Sequence, residues 1–161
     1  MSDIEDRLEI MDLLARYGAG LDARDWLLWR SVFTDRALFD LSSWSDETPQ
    51  RVETDRVVKV QSRLFAEFDV TQHLISNFRI TLDGDSARVI AVMRAEHWIR
   101  IAPESAATKR YTMFGYYDDR LLRIGDQWKI DEMHLEVTNT EGDRWVIEEA
   151  SRRARARRRG Q

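Results

Sequence analysis

The sequence predicts an α+β domain in which N-terminal helices lie across a curved, mainly antiparallel sheet and enclose a cavity between the two layers. Three observations point there. Apolar residues follow helical spacing as far as Phe68, the spacing changes to alternation from Thr71 onward, and Asp83-Gly84-Asp85 and Gly125-Asp126 break the alternating stretch as hairpin turns do. Helices followed by a run of strands is the order of segregated α+β proteins, not of parallel βαβ units.

The elements can be taken in order. Ser2 and Glu5 form an S-x-x-E capping box for a first helix, with buried positions expected at Ile4, Leu8, Met11, Leu14 or Ala15, and Gly18. Gly18 and Gly20 weaken the end of that helix and permit another element to approach closely. A second short helix is expected from Trp26 to Phe33, ended by Thr34-Asp35, and a short strand from Ala37 to Leu41. SSWSDETPQ, residues 42–50, reads as a polar loop. Thr54 is expected to cap a third helix whose apolar positions are Val57, Val58, Val60, Leu64, Phe65 and Phe68. Strands over 71–82, 87–101, 111–124 and 127–138 follow, with Pro103 in a loop, and a last helix begins at Asp143 and ends near Arg155.

The length of 161 residues suits one domain, expected over 1–150, with a basic tail over 151–161. No apolar run approaches the roughly 20 residues that span a bilayer, and the opening MSDIEDRLE is acidic, so no membrane contact and a cytoplasmic location are expected. The absence of cysteine excludes disulfides, thiolate nucleophiles and Cys-ligated metals. The net charge of −4 hides six Arg in the last eleven residues; the body through Ala150 carries 19 basic against 29 acidic side chains, a balance of about −10 that repels nucleic acid.

Chemistry is expected at the end of the first helix, where Tyr17 and Asp22 sit five residues apart. An acid near a helix C-terminus opposes the macrodipole, so Asp22 is expected to have another partner, a histidine. His73, His97 and His134 all fall in predicted strands. His97 shares a pleat face with Val89, Ala91, Met93 and Ala95, while Arg94, Glu96, Trp98 and Arg100 take the other. A carboxylate on one ring nitrogen would fix the tautomer of a histidine base, and Tyr17 would supply a neutral donor to an oxygen that gains charge. Candidate substrate contacts are Asn77, Met93 and Tyr117, in a cavity otherwise lined by Ile75, Ala91, Ala95 and helix aromatics. A few polar points in an apolar cleft suit a small hydrophobic cyclic substrate. There is no glycine-rich phosphate loop, HExxH or GxSxG motif, so neither cofactor nor metal is expected. Asp118-Asp119 and Glu148-Glu149 read as structural pairs. Ile90, Val92, Trp98, Phe114 and Tyr116 on the outward sheet face predict a homo-oligomer, dimer or trimer.

The stretches YGAGLDARDW, VFTDRALFD, TQHLISN and GYYDDRLLRIGDQWKI, in this order, resemble the SnoaL-like branch of the nuclear transport factor 2-like superfamily, from about Ile4 to Val137. The resemblance implies a cone-shaped α+β barrel. Within the superfamily the pattern is most similar to scytalone dehydratase, bile acid 7α-dehydratase and hexachlorocyclohexane dehydrochlorinase, elimination enzymes with an Asp–His pair. It implies Asp22 as the orienting acid, His73 as the base, Tyr17 as the donor and His97 as a second catalytic histidine. Leu21 and Leu41 depart from the pattern by replacing tyrosines of scytalone dehydratase, Tyr117 replaces an asparagine, and Glu136 lies near the dehydrochlorinase's late arginine. The implied function is a cofactor-independent, dehydratase-type lyase for a hydrophobic cyclic or polycyclic substrate. A polyketide- or steroid-type cyclase or isomerase, and a non-catalytic ligand-binding or assembly module, are the alternatives that the superfamily leaves open.

Overall fold

Helix α1 (Asp3–Ala23) opens on the expected capping box: the Ser2 amide donates to Glu5 Oε2 at 2.7 Å and the Glu5 amide to Ser2 Oγ at 3.4 Å. This computed structural model describes residues 2–45, 48–102 and 104–159, with side chains through Arg157, so Pro103 and part of the 42–50 loop lie outside the described residues. The buried face of α1 differs from the expectation. Ile4, Leu8 and Met11 are 70%, 61% and 39% exposed; Leu14 and Gly18 are buried as expected, and with them Ile10, Leu13, Tyr17 and Leu21. Two apolar stripes run along this helix. The sheet covers the one at i, i+3, i+4, i+7 and i+11, which carries the bulkier residues at the site end.

Asp25 caps α2 (Trp26–Ser31) by accepting from the Leu28 amide at 2.9 Å. Strand β1 (Phe33–Asp40) begins directly after it, earlier than the residue pattern suggested. The polar stretch ends in a short strand that was not expected, β2 (Gln50–Glu53), paired antiparallel with β1 through Ala37 and Val52. Thr54 does not cap α3 (Thr54–Phe65); it is the helix's first residue, fully buried, and its hydroxyl donates to the Thr34 carbonyl at 2.7 Å. Strands β3 (Val70–Asp83), β4 (Ser86–Arg100), β5 (Thr108–Ile124) and β6 (Gln127–Gly142) form the meander, and α4 (Trp145–Arg159) carries helix well into the Arg-rich stretch.

The strands form one six-stranded sheet in the order β2-β1-β6-β5-β4-β3. Every pairing is antiparallel except β1 with β6, which is parallel. The sheet is open, so β3 is an edge strand. On its free edge the His73 amide meets Asp22 of α1 instead of another strand, and this places the site. Among the described residues no helix is long and apolar enough to cross a membrane.

The two helical glycines set the distances of approach. A Cβ at Gly18 would touch the His73 carbonyl oxygen at 3.4 Å, so α1 rests almost directly on β3 beside His73. A Cβ at Gly20 would lie 2.8–2.9 Å from the Trp29 backbone, closer than carbon atoms tolerate. Gly20→Ala is therefore expected to force α1 and α2 apart and to lower stability by about 1–3 kcal/mol. Urea denaturation measures this, and an unchanged midpoint would show that the helices yield without cost.

Candidate active site

Asp22, on the last turn of α1, meets His73 on β3 through two contacts. Its Oδ1 lies 2.7 Å from His73 Nδ1, and its Oδ2 accepts the His73 backbone amide at 2.7 Å. The amide is available because β3 is an edge strand. One carboxylate thus fixes both the imidazole and the strand that carries it. Thr71 donates its hydroxyl to Asp22 Oδ1 at 3.0 Å and accepts from Arg24 Nη1 at 2.8 Å. Burial works to raise the Asp22 pKa, but hydrogen bonds from the His73 side chain and backbone and from Thr71, with the charge of His73, outweigh it and hold the carboxyl below the usual range. An ionised Asp22 requires a proton on Nδ1, leaving the lone pair of His73 on Nε2. His73 lines the cavity, so that lone pair is the base available there.

The cavity holds about 100 Å³ and lies between the helices and the inner face of β4, β5 and β6. Tyr17, His73, Met93, His97 and Tyr117 all line it, as do Ala95, Phe65, Phe68, Met113 and Met133. Asp22 stands outside the lining, behind His73. The tyrosine rings are 5.3 Å apart and meet edge to face. Tyr17 donates to Met133 Sδ at 3.7 Å. A thioether is a weak acceptor, so a substrate oxygen can take that proton from it. Burial raises the pKa of both tyrosines, keeping them neutral donors.

His97 sits 5.7 Å from His73, ring centre to ring centre, and edge-on to it. Phe65 stacks against His73 and contacts His97, and Phe68 lies 4.8 Å from the His97 ring. Burial first, and then the neighbouring His73, push the His97 pKa down to about 3. His97 is therefore neutral at ordinary pH, and its Nδ1 has no hydrogen-bond partner among the described residues.

Asn77 is not brought to the cavity. A β-bulge between Ser76 and Arg79 puts Asn77 at φ 55° and leaves it exposed. His73 and Ile75 point inward before the bulge and Phe78, Ile80 and Leu82 after it, so the pleat has changed phase. The expectation that Asn77 touches substrate is corrected accordingly.

Several residues were not singled out from sequence. Arg24 donates to the carbonyls of Leu21, Asp22, Phe65 and Phe68 as well as to Thr71. Asp119, read as structural, is 1% exposed; burial pushes its pKa well above the carboxylate range, against the His134 amide that donates to it at 3.1 Å. It shares a face with Tyr117 and Leu121, which strict alternation along β5 already implies. The cavity also carries polar groups at Trp29, Trp44 and Gln61, more than the apolar lining that was expected. Among the described residues no three His, Asp or Glu side chains converge as a metal ion would need.

Comparison with known proteins identifies the family. Residues 2–134 match the SnoaL-like domain. This chain belongs to that family. Uncharacterised proteins from Mycobacterium tuberculosis and Mycobacterium bovis are 29% identical over 137 residues, 81% of this chain and 84% of theirs. A crystal structure of a Kribbella flavida protein superposes with a TM-score of 0.83 at 28% identity, covering 91% of this chain and 99% of that one. A hexachlorocyclohexane dehydrochlorinase superposes with a TM-score of 0.72 at 14% identity, covering 87% of this chain and 90% of its own. A Novosphingobium aromaticivorans protein provisionally assigned as a scytalone dehydratase gives 0.73 at 19%, covering 88% and 89%. The last two likenesses carry the fold alone.

The neutral His97 leaves a mark on stability. In the unfolded chain an imidazole takes a proton near pH 6.5, but in this SnoaL-like domain His97 takes none until about pH 3. The unfolded state binds more protons between those values, so the contribution is present above pH 6.5 and is lost as the pH falls through the window. His97→Leu is expected to flatten the decline of the urea midpoint between pH 6.5 and 4. Equal slopes for variant and parent would mean that His97 charges in the folded protein.

Proposed function

We propose that this chain is a cofactor-independent lyase of the dehydratase type, acting on a cyclic β-hydroxy carbonyl compound. The observation that carries the reading is the Asp22–His73 pair, with Nδ1 engaged and Nε2 left free beside an aromatic-walled cavity that His73 lines. His73 Nε2 takes the proton from the carbon beside the carbonyl, and the electron pair moves onto the carbonyl oxygen. Tyr17, supported by Tyr117, donates a hydrogen bond to that oxygen as its charge grows. The enolate then re-forms the carbonyl, a C=C bond forms, and the β-hydroxyl leaves as water with the proton returned from His73. Asp22 stabilises the imidazolium between the two steps. Met93 contacts the ring, and neutral His97 hydrogen-bonds the hydroxyl before it departs.

The fold shared with a dehydrochlorinase and with a protein assigned as a dehydratase accommodates an elimination. A cyclase or isomerase would use the same enolisation, and the two are separated by whether water is lost. The cavity volume also limits the substrate. About 100 Å³ is less than the roughly 150 Å³ of a cavity that holds benzene, so even a single ring must reach out of it. A fused system would extend past Phe39, Leu41 and Gln61 into the adjoining groove that these residues also line.

Mass spectrometry of cyclic β-hydroxy ketones incubated with the protein tests the reaction. Loss of water is expected with the parent chain and a fall of about a hundredfold or more with His73→Ala or Asp22→Asn at preserved fold. Equal turnover by parent and His73→Ala would remove His73 from the mechanism.

The oligomer expected from the outward sheet face is part of the same reading. Leu74, Val92 and Tyr116 are exposed on β3, β4 and β5. Sedimentation is expected to give a dimer or trimer that Val92→Glu dissociates. A monomeric parent at micromolar concentration would contradict this, and dissociation by Leu8→Glu instead would move the interface to the exposed stripe of α1.

A further inference from the structure

A ring that reaches out of the cavity has two ways to continue. Trp44 and Ile147 lead from the cavity to a groove along α4, and Phe39, Leu41 and Gln61 lead to one of about 430 Å³ between α3 and the β1–β2 ribbon. The two differ in chemistry. The α4 groove is lined by Arg144, Glu148, Arg152 and Arg155, and two of these arginines have acids of their own. Arg152 holds Glu149 at 2.7 Å, and Arg144 lies 3.8 Å from Glu148. The α3 groove is lined by Val52, Val57 and Val60 beside Thr48 and Gln50, and among the described residues Arg56 is its one charged member.

Helix α3 makes the second route continuous. Val57, Gln61 and Leu64 follow i, i+4, i+7 spacing and so share one face of the helix. The first two line the groove and the last two line the cavity. Arg56 and Val60, also four apart, form the ridge beside them. At a rise of about 1.5 Å per residue, Arg56 stands about 12 Å along α3 from Leu64 and about 7.5 Å from Gln61, where groove and cavity meet. Val60 is 58% exposed, so its surface is open to a ligand. The Arg56 guanidinium has no ion-pair partner among the described residues. The acids beside it in sequence are engaged elsewhere, Glu53 by Arg36 at 3.0 Å and Asp55 by Arg30 at 2.5 Å.

We propose that the α3 groove binds an aliphatic side chain of the substrate, whose terminal carboxylate pairs with Arg56. The substrate is then a ring bearing a carboxylated chain, with the ring reaching into the cavity and the chain lying on Val52, Val57 and Val60. The assignment deepens the lyase reading, on which it rests for the ring and its reacting carbon, while the binding of the chain does not require the reaction. Apolar contact along the chain supplies most of the affinity, because an ion pair at an exposed arginine is weak. Arg56 sets the polarity of the far end instead.

Three probes test this without turnover: ω-phenylhexanoate, the short phenylacetate and the neutral ω-phenylhexanamide. Their affinities are measured by ligand-observed NMR with the parent chain, His73→Ala, Val60→Asn, Arg56→Gln and Arg155→Gln. The parent and His73→Ala are expected to bind ω-phenylhexanoate at least about tenfold tighter than phenylacetate, and about threefold tighter than the amide. Val60→Asn is expected to remove most of the first preference, Arg56→Gln the second, and Arg155→Gln neither. Thermal midpoints identify any variant that has unfolded, and Val60→Thr then replaces Val60→Asn. Affinity that ignores chain length or the carboxylate, binding of no probe, or preferences intact in both groove variants overturns the proposal. Loss of the carboxylate preference in Arg155→Gln instead would move the chain to α4 and overturn it equally. The reaction fails separately. Both preferences kept in His73→Ala, alongside no dehydration of cyclic β-hydroxy ketones by the parent, would sink the lyase and leave the groove standing.

Discussion

Arg24 is the constraint on which the site depends. It takes the left-handed conformation at the end of α1, φ 59°, which costs a residue with a Cβ roughly 1–2 kcal/mol. Its guanidinium recovers more than that by donating to carbonyls at the ends of both α1 and α3 and to Thr71 at the start of β3. Three chain segments far apart in sequence are thereby pinned at one point. Asp22 lies two residues before that point, Thr71 belongs to it, and His73 lies two residues beyond it. The short contacts between Asp22 and His73 follow from this clasp, since neither side chain has to search for the other.

Two histidines of one sheet, with ring centres 5.7 Å apart, meet opposite electrostatic conditions. His73 has a carboxylate at its back, so the imidazolium it must form is stabilised when it appears. His97 has phenyl rings and its own neighbour's charge around it, so it does not charge. Different surroundings acting on like groups are the usual means by which a protein divides acid–base labour. The tyrosine pair adds donors that never become phenolates. Within about 100 Å³, proton abstraction, oxygen stabilisation and hydroxyl holding thus fall to separate residues.

What could be read from sequence follows from local physics. Asp22 was legible because an acid set against a helix dipole requires a partner, and His97 because strict alternation fixes its face. The fold was legible because the period changes once, between Phe68 and Thr71. Other features depended on tertiary choices. Helix α1 carries two apolar stripes, and nothing local says which one the sheet covers. Asn77 was misplaced because no residue type announces a bulge two residues after Ile75. Trp29 and Trp44 look like packing in any sequence; only their unmet indole nitrogens set them apart, and those exist only in three dimensions. Arg24 was hidden because an arginine in a turn is most often solvated.

The bulge in β3 makes that strand two half-strands with independent facing. His73 and Ile75 take their direction from the clasp at Arg24, while Phe78, Ile80 and Leu82 take theirs from the hairpin at the far end. One extra residue absorbs the mismatch between them. Loss of that residue would restore unbroken alternation and turn one half outward, either the base or the hydrophobic anchor. Changes in the length of the β3–β4 hairpin, by contrast, would be taken up before they reached His73. The half of the strand that carries His73 is insulated from the hairpin half, much as a slip joint isolates a tool tip from its handle.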